Sequence, residues 1–233
     1  MQKSFNNIDT KNQLIAYLSE FVSENKKEKI NEIVKHRTRH ITVVLEDIFQ
    51  TQNASAVLRS CDCFGIQDVH IIENRNKYNV NPDVALGSSK WLDLIKYNKK
   101  ENNTEDCLLE LKRKGYKIIA TSPNKNDCLI DELNIQEKFA LVFGTELNGL
   151  SDIAFKHADG FIKIPMHGFT ESFNISVSVA MCLHYLSEKL RKSEILWQLS
   201  DEEIIDIKIN CLKNAIKKVE LLEKDFYKNL KNK

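Results

Sequence analysis

The sequence has 233 residues, of which 42% are hydrophobic and 29% charged, with a formal net charge of +1. This length suits one sizeable domain with extensions, and the composition is that of a soluble globular protein rather than a disordered or fibrous one. No apolar run approaches the ~20 residues that span a bilayer, and the first residues lack a signal-peptide pattern, so we expect neither a membrane protein nor a secreted one.

The six cysteines include no CxxC pair and lie mostly in apolar periodic segments. We therefore expect buried, reduced thiols, no metal site and a cytoplasmic location. The charge is unevenly spread. Six basic against three acidic residues from Glu24 to His40 give +3, and eight against three from Lys208 to Lys233 give +5. These basic termini are either solvated helix faces or a rim that binds phosphate.

The two ends of the chain are predicted to be helical. An amphipathic pattern predicts a helix over residues 11–36. A single long helix is predicted from Ser200, because Ser200 and Glu203 have capping-box spacing and apolar residues recur every three or four positions as far as Leu230. The predicted parts are an N-terminal helical extension (1–37), a central domain (38–192) and a C-terminal helical extension (193–233).

Short apolar segments alternate with helices in the central domain. ITVVLED is the first predicted strand, a loop and a helix ending at Gly65 follow, and DVHIIE is the second strand. This order implies a parallel pair with a right-handed crossover. The later predicted elements are the strands WLDLIKY, YKIIATS, KFALVFG and FIKIPM, a helix from Thr104 as N-cap to Lys114, and a short helix capped by Ser151. The pattern predicts an α/β fold with a parallel sheet.

Polar residues follow three of the predicted strands, where α/β proteins commonly bind ligands. They are Asn53 with Arg59, Glu146 in a turn between Gly144 and Gly149, and Ser172 with Asn174. Taken singly, each has a structural explanation, since Asn and Ser cap helices and a glutamate suits a first helical turn. The glycine turn matches no phosphate-binding fingerprint, and Ser172 does not lie in a hydrolase elbow.

In order, three stretches resemble the signature motifs of the SPOUT superfamily, and most closely its TrmH-type RNA 2'-O-ribose methyltransferases. The stretches are NASAVLRSCDCFGIQDVHII, ALVFGTELNGLS and IPMHGFTESFNISVSVAMCLHYL. The resemblance covers residues from about Thr38 to Leu190. It implies a parallel sheet with helices on both faces, a C-terminal trefoil knot, a homodimer and S-adenosylmethionine as cofactor.

The resemblance also implies roles for individual residues. Arg59 matches the family's catalytic arginine. The other catalytic positions fall on Asn53, Glu146, Ser172 and Asn174. Contacts to the cofactor, largely from the backbone, are expected from Thr121, Gly144, Ile164, Met166 and Phe173, where Phe173 replaces the family's usual leucine. RNA-binding residues are expected at Lys35, Arg37 and Arg39 in the basic N-terminal segment.

Arg59 would act as a general base, for which a guanidinium with a pKa above ~12 is poorly suited, or it would hold the ribose or its phosphate. Either role predicts that Arg59→Ala abolishes activity and leaves cofactor binding intact. Basic helical arms at both ends resemble the subgroup that methylates the D-loop guanosine, position 18, of tRNA. Methylation of rRNA or of another tRNA site, and a non-catalytic RNA-binding protein on the same fold, are the alternatives.

Overall fold

The computed structural model describes residues 7–122 and 128–231. Residues 1–6, part of the segment on which the expectation of no signal peptide rests, lie outside that range. Backbone contacts divide the chain into two compact units. The sheet unit is Thr38–Trp197 and contains every strand of the described residues. The helical unit combines the described residues up to Arg37 with those from Gln198 onward.

A seven-stranded parallel sheet forms the centre of the sheet unit. The strands are β1 (Ile41–Glu46), β2 (Asp68–Ile72), β3 (Asp93–Tyr97), β4 (Lys117–Thr121), β5 (Cys128–Leu129), β6 (Phe139–Phe143) and β7 (Gly160–Lys163). Their order is β3-β2-β1-β6-β4-β7-β5, so the predicted parallel α/β sheet is confirmed. The central strands β1 and β6 are buried throughout, as their continuous apolar sequences indicate. The sequence pattern does not predict β5, which has only two residues.

Helices cover both faces of this sheet. The helices of the unit are α3 (Thr51–Cys63), α4 (Pro82–Ala85), α5 (Asn103–Arg113), α6 (Asp152–His157) and α7 (Ile175–Arg191). Helices α3 and α7 share a core with Val43 and Leu45 of β1, whereas α5 and α6 share one with Val44. This alternation follows from the two-residue period of a strand. Among the described helices, none is long and apolar enough to cross a membrane.

Helix ends in the sheet unit confirm two predictions and correct two others. Gly65 has a left-handed φ of 75°, and Ser151 caps α6 by accepting a hydrogen bond from the Ala154 amide. Asn53 is not a cap, because α3 already begins at Thr51 and the Asn53 side chain is used in contacts with distant residues. Thr104 is not a cap either, because its hydroxyl donates to buried Glu46 at 2.6 Å. Asn102 caps α5 instead.

Each predicted helix of the helical unit is two helices, which corrects both predictions. The four are α1 (Ile8–Ser19), α2 (Glu24–Ile33), α8 (Asp201–Ala215) and α9 (Val219–Lys231). The break between α8 and α9 contains Lys218 with a left-handed φ of 56°, and it allows Phe226 to pack against Tyr17 with ring centroids 5.5 Å apart. Periodicity did not detect the break because the apolar spacing continues across it. The capping box of Ser200 and Glu203 is confirmed.

Candidate active site at the carboxyl end of the sheet

A cavity of about 380 Å³ opens where β4, β6 and β7 end. These strands are neighbours in the sheet and run parallel, so their carboxyl ends meet at one edge. All five predicted cofactor residues line the cavity: Thr121, Gly144, Ile164, Met166 and Phe173. Glu146 and Ser172, predicted as catalytic residues, line it too. The residues that the resemblance assigns to cofactor binding thus share one cavity, and their role in binding stays a prediction.

The turn after β6 forms one wall of the cavity. Thr145 and Gly149 exchange backbone hydrogen bonds of 3.0 and 2.9 Å, and Gly149 adopts a left-handed φ of 66°. Gly144 lies beneath this closure: a Cβ added there would meet the Gly149 carbonyl oxygen at 2.2 Å. Only glycine fits without displacing the backbone. The two glycines thus give the turn the shape that places Glu146 at the cavity rim.

Three polar side chains from three separate segments meet at this rim. Asn53 of α3 donates a hydrogen bond from Nδ2 to Oε1 of Glu146 at 2.8 Å. Asn174 donates from its own Nδ2 to the same Glu146 oxygen at 2.7 Å and to Oδ1 of Asn53 at 3.0 Å. The three side chains form a closed triangle, which we call the rim triad. The resemblance predicted each residue of this triad separately, and the structure brings them together.

Asn174 also serves as the N-cap of α7. Its Oδ1 accepts hydrogen bonds from the Ser176 amide at 2.9 Å and the Ser176 hydroxyl at 2.6 Å. Because the oxygen is committed to the helix end, the Nδ2 group must face the rim triad. The structural explanation for Asn174, a helix cap, is therefore confirmed, and its catalytic role stays a prediction. The cap fixes the orientation of the amide that contacts Asn53 and Glu146.

Ser172 and Glu146 keep polar atoms available at the rim. The Ser172 hydroxyl and the Glu146 Oε2 atom have no hydrogen-bond partner within residues 7–122 and 128–231. Both side chains are exposed. A hydroxyl and a carboxylate oxygen that remain free can accept or donate to a polar substrate, so the site is equipped to orient an incoming hydroxyl group.

Arg59 is not part of this arrangement. It lies on α3 six residues beyond Asn53, which corresponds to about 9 Å along the helix and a different face. Its side chain is exposed, makes no ion pair with a described residue, and lines none of the cavities around the rim triad. Within a single chain, the structure therefore does not bring Arg59 to the predicted catalytic residues. Its catalytic role stays a prediction.

The predicted RNA-binding residues have different surroundings. Arg39 binds Asp68 at 2.9 Å and Asp93 at 2.7 Å, and these are the first residues of β2 and β3. That places Arg39 at the end of the sheet where the strands begin, opposite the end that carries the cavity. Burial raises the pKa of Asp68, and the Arg39 charge opposes this shift. Arg37 is only 4% exposed, whereas Lys35 is exposed. Their part in RNA binding stays a prediction.

Gln50 and Cys182 are among the residues at the site that the sequence reasoning missed. Gln50 accepts a hydrogen bond from Asn53 Nδ2 at 2.7 Å and so supports the triad. Cys182 lines the cavity four residues after Ser178, a spacing that puts both on one face of α7. Burial raises the pKa of the Cys182 thiol to about 12, so the sulfur stays protonated and a poor nucleophile at neutral pH.

Comparison with known proteins gives a consistent result. The model of the SpoU rRNA Methylase family matches residues 40–184. The chain is 44% identical over 209 residues to the tRNA (guanosine(18)-2'-O)-methyltransferase of Borreliella burgdorferi, covering 90% of this chain and 94% of that protein. It is 31% identical over 161 residues to the enzyme of the same name from Thermus thermophilus, covering 69% of this chain and 81% of that one.

Among solved structures, the A. aeolicus TrmH/SpoU tRNA modifying enzyme is similar with a TM-score of 0.74 and 28% identity. The match covers 84% of this chain and 98% of that one. The family match includes the whole rim triad, from Asn53 to Asn174, and the whole sheet. The chain belongs to the SpoU methylase family.

Proposed function

We propose that this protein transfers a methyl group from S-adenosylmethionine to the ribose 2'-hydroxyl of guanosine 18 in tRNA. The observation that carries the proposal is the rim triad, which lies beside a cavity lined by all five residues expected to contact the cofactor. The relative from B. burgdorferi, named for this reaction, aligns over nearly its whole length. This supports the same substrate for this chain.

The cavity fits the cofactor in size and chemistry. Its volume of about 380 Å³ lies in the ~300–1,000 Å³ range of small-molecule sites. Apolar side chains from Phe143, Leu150 and Ile162 line it beside the hydroxyls of Thr121, Ser122 and Ser172. Thr121, Gly144 and Ile164 lie at strand ends, where backbone groups can bind the ligand's polar edge. When bound, S-adenosylmethionine supplies the methyl group and its activation as a sulfonium.

The rim triad orients the acceptor in this proposal. Glu146 Oε2 and the Ser172 hydroxyl are placed to bind the ribose hydroxyl, while Asn53 and Asn174 hold the Glu146 carboxylate still. Positioning two reacting groups can supply ~7–11 kcal/mol of a reaction barrier, so a rigid rim has a direct kinetic effect. The buried, protonated Cys182 thiol does not compete as an acceptor. Arg59 is assigned the ribose or its phosphate, since guanidinium is a weak base.

A homodimer belongs to the proposal. Val177, Met181 and Tyr185, spaced by four residues on α7, are 45%, 38% and 40% exposed. An apolar stripe of this kind on a helix supports a contact with a second copy. Val177→Asp is expected to weaken self-association in sedimentation experiments, whereas Leu109→Ala, an exposed apolar residue on α5, is expected to leave it unchanged. Equal sedimentation of Val177→Asp and wild type would count against the dimer.

The knot, the domain assignment and the cellular location are also proposals. Strand β7 lies between β4 and β5, and α7 returns to the α3 face of the sheet; both features support the trefoil knot. The unit boundaries at Thr38 and Trp197 support a methyltransferase domain over 38–192 with helical extensions at both ends. Lys35, Arg37 and Arg39 are proposed to contact tRNA. A cytoplasmic location follows from the proposed substrate.

Methyl transfer from labelled S-adenosylmethionine tests this function. Purified protein is incubated with separate tRNA and rRNA transcripts, and the labelled nucleotide is mapped. We expect label in tRNA at guanosine 18 and none in a transcript in which 2'-deoxyguanosine replaces that guanosine. Label only in rRNA, or at another tRNA position, would replace the proposed substrate. Absence of both transfer and cofactor binding would leave a non-catalytic RNA-binding protein.

A further inference from the structure

Phe49 is an exposed aromatic residue beside the rim triad. It lies in the loop between β1 and α3, next to Gln50, which supports Asn53. Its side chain is 75% exposed, whereas the preceding residue, Ile48, is buried in the sheet core. A large aromatic ring exposed next to a polar site contributes little to folding. It does offer a flat apolar surface on which another ring can stack.

The neighbouring loop is held rigidly next to Phe49. Asp47, with a left-handed φ of 55°, accepts hydrogen bonds at Oδ1 from the backbone amides of Asn74 at 2.7 Å and Arg75 at 2.9 Å. Asn76 donates from Nδ2 to the Asp47 carbonyl at 2.9 Å. These three hydrogen bonds fix the two segments together. Residues 74–76 are held by Asp47, and Tyr78 is held by hydrogen bonds to Glu73 and to the Ala54 carbonyl, so the loop does not depend on its own cationic side chains.

Two cations project from this loop. The side chains of Arg75 and Lys77 are exposed, and neither forms an ion pair with a described residue. Exposed cations that are not neutralised within the protein are available to a phosphate, and a rigid backbone lowers the entropy lost when they bind one.

Phe49 lines two depressions in the surface. The smaller, of about 190 Å³, is lined by Phe49 together with Gln50, Asn53, Asn76 and Glu146, and therefore opens onto the rim triad. The larger, of about 540 Å³, is lined by Phe49 with Arg75, Asn76, Lys77 and Asn79. The first is amide-rich and adjacent to the site of methyl transfer. The second is cationic and shares Phe49, Gln50 and Asn76 with the first.

We propose that Phe49 stacks against the base of the nucleotide whose ribose is methylated, and that Arg75 and Lys77 bind the adjoining phosphate. This inference rests on the proposed function and specifies how that site takes its RNA. A stacked base needs an aromatic face, its polar edge needs amide groups, and its phosphate needs cations. Phe49 provides the aromatic face, Gln50 and Asn76 in the smaller depression provide the amide groups, and Arg75 and Lys77 in the larger depression provide the cations.

Substitutions at Phe49 test the stacking. Phe49→Ala is expected to weaken tRNA binding about 10-fold and raise KM for tRNA equally, because a stacked base contributes binding energy of that order. We expect the affinity for S-adenosylmethionine to stay near wild type. Phe49→Trp restores binding, since a larger ring still stacks. Leu109→Ala, an exposed apolar residue on α5, is the matched control.

The cations are tested by the double substitution Arg75→Ala, Lys77→Ala. It is expected to weaken tRNA binding. The slope of log affinity against log salt concentration should fall by the amount expected for the loss of about two phosphate contacts. The control is Lys117→Ala, at the amino edge of the sheet, where an exposed Lys117 faces Glu137 at 3.7 Å. Unchanged tRNA binding in Phe49→Ala, or equal losses in the Ala and Trp variants, would overturn the inference.

Direct tRNA binding separates this inference from the proposed function. Wild-type protein that binds tRNA and transfers no methyl group would contradict the function, and the Phe49 variants would still test the stacking by titration. Wild-type methylation with Phe49→Ala indistinguishable from it would contradict the stacking alone. A change in the oligomeric state of Phe49→Ala, with no change in tRNA affinity per site, would assign the ring to a protein contact instead.

Discussion

Asn53 and Glu146, 93 residues apart in the chain, are joined by a 2.8 Å hydrogen bond from Asn53 Nδ2 to Glu146 Oε1. The bond links the first turn of α3 to the turn after β6. These follow β1 and β6, which pair directly in the centre of the sheet. Parallel pairing therefore puts both segments at the same edge, and Asn174 completes the contact.

Glu146→Gln replaces the carboxylate with a neutral group of similar size. Hydrogen bonds to a charged group contribute ~1.5–3 kcal/mol, so we expect kcat to fall roughly 10- to 150-fold in the methyl-transfer assay. Glu171→Gln is the control, because Glu171 lines the same cavity and makes no hydrogen bond within the described residues. Equal activities of the two variants would show that the charge of Glu146 has no special role.

Asn174→Ser and Asn174→Ala separate the helix cap from the rim triad. Serine still caps α7, so its unfolding free energy should stay near wild type, whereas alanine should lose about 1 kcal/mol. Both remove the Nδ2 donor to Glu146, so both should lose methyl transfer to a similar extent. Urea unfolding and single-turnover rates measure the two effects. Full activity in Asn174→Ser would mean that Asn174 acts only as a cap.

Gly144→Ala introduces a methyl group into the closed turn. Its Cβ would meet the Gly149 carbonyl oxygen at 2.2 Å, so the turn must shift, at a cost of about 1–3 kcal/mol in unfolding free energy. Cofactor binding should weaken as well, because Gly144 lines the cavity. Gly168→Ala is the control, because a Cβ added at Gly168 would lie 4.0 Å from the nearest heavy atom. Thermal unfolding and calorimetric titration should distinguish the variants; equal behaviour would contradict this account.

His70 makes the stability of the sheet unit sensitive to acid. Burial, aided by the Lys114 charge, lowers the pKa of His70 from 6.5 to about 4. The folded state thus keeps His70 neutral while the unfolded state takes up a proton, so its contribution is present above pH 6.5 and is lost as pH falls towards 4. The loss is on the order of 3 kcal/mol.

His70→Gln tests this contribution, because glutamine does not titrate. Urea unfolding at pH 7, 5.5 and 4 should give a smaller loss of stability in the variant than in wild type. Burial also lowers the pKa of His40, and this residue contributes equally to both proteins, so the difference isolates His70. Parallel pH profiles would exclude His70 as the source.

The succession of strands and helices along the chain could be predicted from the sequence, because it depends on short-range patterns, whereas the cavity residues were predicted from the resemblance of the motifs. Buried strands read as apolar runs; Thr121 ends one of them, and Gly144 and Ile164 directly follow two others. The helix breaks could not be predicted in this way. Residues 20–23 and 216–218 keep the apolar period, and the gain from breaking the helix, such as Phe226 against Tyr17, comes from a segment far away in the chain.

The charge pattern of the sequence did not predict the ion pairs of Arg39. Arg39 lies in a basic segment that suggested a phosphate-binding surface, yet its guanidinium is bound by Asp68 and Asp93. Those carboxylates lie 29 and 54 residues away, at the starts of two parallel strands. Only the register of the sheet brings them to Arg39. A count of charges along the chain does not contain that information.

The motifs, unlike the charge pattern, identified individual residues. The sequence by itself determined that Arg59, Asn53 and Asn174 are candidates, because the motifs specify residue types at fixed positions. Only the tertiary structure decided which of them meet: parallel pairing of β1 with β6 and the return of α7 onto α3 bring Asn53 and Asn174 to Glu146, while the helical turn carries Arg59 away. Local patterns encode which groups are available, and long-range packing sets the distances between them.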